Sequence, residues 1–135
     1  MKYLLDANVL ISLGIEEHVF HFPIVRWLES LKTSEDELVS CSITELAFVR
    51  ILSQLPGAGI TIADAKHQLA EMKADSRLRF SLLTDALGAD KLPTWVKSAK
   101  QTTDGHLAEL AKANGAVLAT LDGKIPGSFV IPVGI

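Results

Sequence analysis

The stretch YLLDANVLI, residues 3–11, decides the fold prediction because two periodicities meet within it. Residues 2–5 form a short apolar run, which is typical of a buried strand. From Ala7 to Leu13 apolar residues recur at helical spacing, which predicts an amphipathic helix. Asp6 therefore lies where a strand ends and a helix begins, and a carboxylate at that junction calls for a chemical explanation.

The rest of the chain repeats this alternation of short apolar strands and longer helices. Further strands are predicted at residues 37–41, 78–83, 116–121 and 129–133. Further helices are predicted from Pro23 and after the caps Ser42, Thr61 and Thr103. Between Thr84 and Lys100 the pattern predicts only a turn near Gly88 and a short helix after Pro93. We expect one domain spanning residues 1–135, an α/β/α sandwich around a central, mainly parallel sheet of four to five strands.

Length, composition and net charge limit the classes of function that this chain can have. The chain has 135 residues, of which 48% are hydrophobic, so one core can form without disulfides or a structural metal. No apolar run approaches the roughly 18 residues of a membrane span, and Asp6 interrupts the N-terminal apolar segment, so we expect a cytoplasmic protein. Cys41 is the only cysteine, which makes a disulfide impossible and a zinc site improbable; we expect it in the core. The net charge of −3 argues against a strongly basic nucleic-acid binder, unless several carboxylates share one site.

Four carboxylates lie where such a shared site is expected. Parallel α/β sheets bind ligands at the carboxyl ends of their strands. Asp6 and Asp122 follow strands directly, whereas Glu45 and Asp104 open helices that begin near strand ends. We therefore expect the four side chains to converge.

Clustered carboxylates repel one another and raise each other's pKa unless a cation compensates them. Hard oxygen donors without cysteine or histidine suit Mg²⁺ or Mn²⁺. Such an ion can activate a water and polarise a phosphate oxygen, so the pattern indicates phosphodiester hydrolysis.

Three stretches together resemble the PIN-domain ribonucleases and, among them, the VapC-like toxins of bacterial toxin–antitoxin modules: YLLDANVLI, SITELAFVRIL (42–52) and TTDGHLAELAKANGAVLATLDGKI (102–125). The third is the most specific, with a Thr-Asp helix start, an Ala/Leu-rich helix, a glycine, a strand and Thr-Leu-Asp. The resemblance implies a PIN-like fold, an endoribonuclease dependent on Mg²⁺ or Mn²⁺, a small VapB-like antitoxin that covers the site, and a homodimer. It places metal-binding and catalytic carboxylates at Asp6, Glu45, Asp104 and Asp122, with supporting polar residues at Asn8 and Thr120.

Each acidic residue also has an ordinary structural explanation. Asp6 can be a helix N-cap, and Glu45 can complete a capping box with Ser42. Asp104 can be a first-turn acid, and Asp122 before Gly123 can be a turn residue. Asp85 competes with Asp104 because both follow a threonine. We choose Asp104, since Gly88 and Pro93 leave no room for a full helix after Asp85.

Residues that could contact RNA are harder to choose. Lys97 and Lys100 belong to a basic and aromatic stretch with Lys91 and Trp95, and Arg50 lies on the predicted Glu45 helix. All of them can equally be solvated or packed residues. The four histidines are scattered, and we expect them at the surface or packed: His18, His21, His67 and His106.

Two rival functions remain open. The segment Asp6-Ala7-Asn8-Val9 is similar to the nucleophile motif of haloacid-dehalogenase-like phosphatases, although Asn8 replaces the general acid and Glu45 would have no role. A response-regulator receiver domain would need paired acids after the first strand, and the single Asp6 argues against it. Alternatively, the same fold could be a non-catalytic scaffold that binds RNA or protein.

Overall fold

The computed structural model describes residues 1–134 and consists of a parallel sheet with helices on both faces. The strands are β1 (Lys2–Leu5), β2 (Glu37–Ser40), β3 (Phe80–Leu82), β4 (Ala116–Thr120) and β5 (Phe129–Val130). The helices are α1 (Ala7–Gly14), α2 (His21–Ser30), α3 (Ser42–Ser53), α4 (Ile62–Ala74) and α5 (Thr102–Ala113), with short 3-10 helices at Ala89–Lys91 and Ala99–Gln101. The strand order is β3-β2-β1-β4-β5, and every pair is parallel. The predicted α/β sandwich is confirmed.

Adjacent leucines of the central strand show how the two layers form. Successive side chains of a strand point to opposite faces. Leu5 packs into a cluster with Val9 of α1 and Phe48 of α3, whereas Leu4 packs with Leu107 of α5. Both leucines are completely buried. Helices α1 to α4 therefore cover one face of the sheet and α5 covers the other.

The strand register brings the carboxyl ends of the three central strands to one edge of the sheet. Strand β1 lies between β2 and β4, with Leu4 opposite Val39 and Leu5 opposite Ala119. The Asp6 amide still donates to the Ala119 carbonyl at 2.9 Å, one residue beyond β1. The carboxyl ends of the three central strands thus meet at one edge, where α1, α3 and the loop after β4 begin.

One predicted helix start and two predicted helix caps are wrong. Helix α2 begins at His21, two residues before the predicted start at Pro23. Helix α3 is capped by Cys41, whose amide donates to Thr44 Oγ1 at 3.1 Å, so the box expected between Ser42 and Glu45 does not form. The helix starts one residue earlier than predicted, which leaves the Glu45 side chain free for other contacts. Helix α5 follows Gln101 rather than Thr103, because a 3-10 turn runs directly into it.

The predicted cap Thr61 of α4 is confirmed, and it forms a capping box: Thr61 Oγ1 accepts from the Asp64 amide and Asp64 Oδ2 accepts from the Thr61 amide, both at 3.0 Å.

The segment before α5 is a packed loop. The short helix predicted after Pro93 is a turn, and helical structure resumes only at Ala99. This loop lies so close to α5 that a Cβ at Gly105 would collide with the Val96 side chain. Gly105 therefore fixes how the loop packs beside the first turn of α5.

Candidate active site

Asp6 is the buried centre of the site. Only 7% of its surface is exposed. It is the N-cap of α1, and its Oδ1 accepts a hydrogen bond of 2.7 Å from the Ala7 amide. Its Oδ2 accepts from the Thr120 hydroxyl at 2.7 Å. The ordinary capping role is therefore real, but an ionised carboxylate has about four lone-pair sites, so Asp6 keeps acceptor capacity for a ligand.

The fully buried Thr120 hydroxyl joins the ends of β1 and β4. It donates to Asp6 and accepts from the Asp122 amide at 3.1 Å and from Asn8 Nδ2 at 3.4 Å. Asn8 Oδ1 in turn accepts from the Leu121 amide at 3.4 Å. The structure thus places Asn8 and Thr120 directly behind the carboxylates, where they orient Asp6 and the loop that carries Asp122.

Asp104 and Asp122 face Asp6 from α5 and from the loop after β4. The pKa of Asp6 is raised, mainly by burial, against hydrogen bonds from Thr120 and Ala7, with a further increase from the charge of Asp122. The pKa of Asp104 is also raised, first by burial and then by the charges of Asp6 and Asp122. Asp122 Oδ1 accepts from the Lys124 amide at 2.9 Å, which is the predicted turn. These three carboxylates form one electrostatically coupled group.

Glu45 has a different environment. Its Oε2 lies 2.7 Å from Nζ of Lys73 on α4 and also accepts from the Ser40 hydroxyl at the end of β2. Glu45 and Lys73 are both largely shielded from solvent, and Lys73 Nζ also lies 5.8 Å from the Phe80 ring centroid. The fourth predicted carboxylate is therefore neutralised by a cation of the same chain.

The donor chemistry fits a hard divalent cation. Asp6, Asp104 and Asp122 offer carboxylate oxygens, and the raised pKa values of Asp6 and Asp104 show that a nearby positive charge would be favourable. As oriented, however, no group of three or more acidic, histidine or cysteine side chains within residues 1–134 is arranged to hold an ion. Both contacts of Glu45, with Lys73 and with Ser40, are made by Oε2, so Glu45 would offer its Oε1 to an ion while Lys73 stands beside it.

Asp85 belongs to another part of the molecule. Its Oδ2 lies 2.5 Å from Nε2 of His106, and its Oδ1 accepts from the Leu87 amide at 3.1 Å. Burial acts to raise the pKa of Asp85, but the hydrogen bonds from His106 and Leu87 and the His106 charge outweigh it and hold the pKa below its ordinary value. Asp85 ties the loop after β3 to α5, as expected of a loop residue.

The predicted RNA-contacting residues are not part of the carboxylate group. Arg50, Lys97 and Lys100 are exposed, whereas Trp95 is half-buried against the core on the α5 side. Trp95 is thus a packing residue in this structure. The predicted core position of Cys41 is confirmed, since it is completely buried.

Lys73 and Ser40 were not identified from the sequence. Lys73 lies 28 residues from Glu45, and its only signal was a position on the amphipathic helix α4. Ser40 lies one residue before the end of the predicted strand 37–41, and its only signal was a hydroxyl near the carboxyl end of the strand next to β1.

The chain belongs to the PIN domain family, whose model matches residues 3–126. It is 35% identical to Ribonuclease VapC38 of Mycobacterium tuberculosis over 125 residues, which cover 90% of this chain and 86% of that protein. It is 37% identical to Ribonuclease VapC29 of the same species over 126 residues, which cover 93% and 89%. The predicted family resemblance is confirmed.

Solved structures agree on the fold. The crystal structure of M. tuberculosis VapC20, described as a Sarcin-Ricin loop cleaving toxin, superposes with a TM-score of 0.67 at 14% identity and covers 98% of this chain and 100% of that one. VapBC2 of Rickettsia felis, bound to a promoter DNA fragment, gives a TM-score of 0.62 at 16% identity over 96% and 97%. None of the helices described in residues 1–134 has the length and apolarity to span a bilayer.

Proposed function

We propose that this chain is a divalent-metal-dependent endoribonuclease that hydrolyses RNA phosphodiester bonds, acting as a VapC-like toxin in the cytoplasm. The observation that carries the proposal is the group of Asp6, Asp104 and Asp122 at the carboxyl ends of the central strands, in which burial and neighbouring charge raise the pKa values of Asp6 and Asp104. Full-length similarity to VapC ribonucleases supports the same chemistry. Because the chain belongs to the PIN domain family, we do not retain the haloacid-dehalogenase-like phosphatase as an alternative.

The cation would be Mg²⁺ or Mn²⁺, held by Asp6, Asp104 and Asp122, with Glu45 as the fourth donor. When bound, such an ion supplies a water of lowered pKa and polarises a phosphate oxygen. Thr120 holds Asp6 in place, and Asn8 supports the strand end behind Asp122. The chain itself thus provides orientation and negative charge, while its half-buried Lys73 balances the charge of Glu45.

A protein partner and a second copy of the chain complete the proposal. Leu46 and Ile62 are large apolar residues with 65% and 53% of their surface exposed. They border an open groove of about 460 Å³ between α3 and α4, which Glu45 and Lys73 also line. A VapB-like antitoxin seated there would lie beside the fourth carboxylate. The proposal also includes a homodimer of this chain.

The test is cleavage of total cellular RNA by the purified protein, with Mg²⁺, with Mn²⁺ or with chelator, read by sequencing the new ends. We expect discrete cuts that require metal and disappear in Asp6→Asn. Folded protein free of antitoxin that makes no cuts under any condition would contradict the proposal.

One observation favours a second candidate, a non-catalytic scaffold that binds RNA or protein. Glu45 is held by Lys73 and Ser40, so the four carboxylates do not form a finished metal site within residues 1–134. A scaffold would bind RNA equally well in chelator and in Mn²⁺ and would leave it intact.

A further inference from the structure

A broadly open surface cavity of about 380 Å³ lies beside the carboxylates. Two of its lining residues, Asn8 and Asp122, belong to the site described above. Its volume falls within the range of roughly 300–1,000 Å³ that is usual for small-molecule pockets. The cavity is therefore large enough for a planar ring and is continuous with the catalytic edge.

The walls combine apolar surface with aromatic rings. Ile11 and Leu121 provide aliphatic surface, and the Phe20 and His18 rings lie with their centroids 5.8 Å apart at 42°. Sequence-specific RNA-binding proteins stack unpaired bases on such rings and read the base edges with polar groups. The lining thus has the composition of a nucleobase site.

His18 is held in one orientation and one tautomer. The Phe20 amide donates to His18 Nδ1 at 3.1 Å. Because Nδ1 accepts this bond, the proton of the neutral ring lies on Nε2. Within residues 1–134 the structure shows no further hydrogen bond of the His18 ring. Its Nε2–H is therefore an oriented donor available to a ligand.

The loop that carries these two rings is fixed at both ends. His21 Nδ1 bonds the Ser12 carbonyl at 2.9 Å, which ties the start of α2 to α1. The His18 amide donates to the Ile15 carbonyl at 2.9 Å, and the Ile24 amide donates to the Phe20 carbonyl at 3.1 Å. The cavity is thus largely preformed, and little ordering would be needed when a ring enters it.

We propose that this cavity binds one unstacked base of a single-stranded RNA, in the nucleotide next to the phosphate that is cut. The inference rests on the proposed function, because the cation that Asp6, Asp104 and Asp122 would hold would attract a phosphate and so bring its neighbouring nucleotide to the cavity mouth at Asn8 and Asp122. Phe20 supplies the stacking surface. His18 Nε2 donates to an acceptor on the base, so Phe20 and His18 determine the base preferred at one position beside the cut.

The test measures cut-site preference on a single-stranded RNA library of random sequence in Mn²⁺. Phe20→Leu removes the ring and keeps an apolar side chain, with Phe22→Leu as its control because Phe22 is 59% exposed and does not line the cavity. His18→Leu removes the imidazole together with its N–H donor, with His67→Leu on the exposed face of α4 as its control.

We expect both cavity variants to lose the base preference at one flanking position and to raise KM with a smaller change in kcat. Removing one base–aromatic stack corresponds to a factor of about 5 to 150 in affinity. The controls should match the parent. Affinity for a fixed RNA oligonucleotide in chelator should fall by a similar factor in the cavity variants, which gives a measurement independent of cleavage.

Unchanged base preference and KM in both cavity variants, at parental melting temperature, would overturn the inference while leaving the proposed function intact. If Phe20→Leu unfolds, His18→Leu decides alone. If the parent cuts no RNA, the proposed function fails, and the binding measurements in chelator still decide about the cavity. Unchanged RNA binding together with abolished binding of a cognate partner protein would assign the cavity to protein and overturn the inference.

Discussion

Nζ of Lys73 lies 2.7 Å from Oε2 of Glu45. A residue of α4 therefore neutralises the carboxylate in the first turn of α3. Each residue is more than three-quarters shielded from solvent. A charge in such a position is costly without a partner, and the positive charge of Lys73 would oppose the binding of a metal ion to the same carboxylate. The pair therefore couples the stability of the metal-free protein to its affinity for metal.

Lys73→Met should lower the stability of the metal-free protein by about 1 kcal/mol, because Glu45 loses its ion pair. The same variant should show a larger rise in melting temperature with Mn²⁺ than the parent does, since the positive charge that opposes the ion at Glu45 is removed. Thermal unfolding with chelator and with millimolar Mn²⁺ measures both effects. Lys66→Met, an exposed lysine two turns earlier on α4, should behave like the parent. An equal Mn²⁺ response in all three proteins would refute the coupling.

Thr120→Val should destabilise the protein by about 1–3 kcal/mol in urea unfolding. The substitution removes the hydroxyl that donates to Asp6 and leaves the Asp122 amide without its acceptor. Because the Thr120 hydrogen bond lowers the pKa of Asp6, its removal should raise that pKa further. Thr120→Ser keeps the hydroxyl and should retain most of the stability. Equal destabilisation in both variants would show that the methyl group, and not the hydrogen bond, is what matters.

Asp104→Asn should make the metal-free protein more stable near neutral pH. The folded-state pKa of Asp104 is raised above its ordinary value, so the folded state binds the proton more tightly than the unfolded state. The cost of ionising Asp104 is therefore complete above the raised pKa and disappears as the pH falls toward the ordinary value of 3.8. The advantage of Asp104→Asn should shrink over the same interval.

Unfolding of the parent, of Asp104→Asn and of the exposed control Asp90→Asn across this pH range measures the difference. A difference in unfolding free energy between the parent and Asp104→Asn that does not change with pH would contradict the raised pKa of Asp104. An effect of side-chain packing alone would give such a constant difference.

Lys97→Ala and Lys100→Ala should weaken RNA binding and flatten its dependence on salt if these exposed lysines bind phosphates. For a single strand the slope of log affinity against log salt changes by about 0.7 for each phosphate that the protein no longer neutralises. Lys112→Ala, an exposed lysine at the opposite end of α5 from Asp104, is the matched control. A parental slope in the double variant would remove this stretch from the RNA-binding surface.

The sequence predicted the fold well because its signals were local and consistent. In residues 3–11 the periodicity predicted a strand and a helix with Asp6 at their junction. The same alternation along the chain predicted the parallel sheet. The carboxyl-end rule predicted that Asp6, Asp104 and Asp122 would lie close together, and in the structure they are near enough to affect one another's charge.

The missed features depend on interactions that no periodicity encodes. The cap of α3 differed by one residue, since Thr44 and Glu45 both offer an oxygen in the first turn and only packing selects between them. The Lys73 partner of Glu45 comes from a helix 28 residues away. The His18 tautomer depends on a single backbone amide in an irregular loop.

The most direct test of the central claim is the cleavage rate of a defined RNA in Mn²⁺ by the parent, Asp104→Asn and Asp85→Asn. Both aspartates follow a threonine, but only Asp104 faces Asp6, whereas Asp85 is paired with His106. We predict that Asp104→Asn lowers the rate by about 100-fold or more, since losing a donor should cost at least as much as losing its supporting partner, and that Asp85→Asn, if folded, stays close to the parent. Parental cleavage by folded Asp104→Asn, or equally reduced rates in both variants at matched stability, would contradict the assigned site.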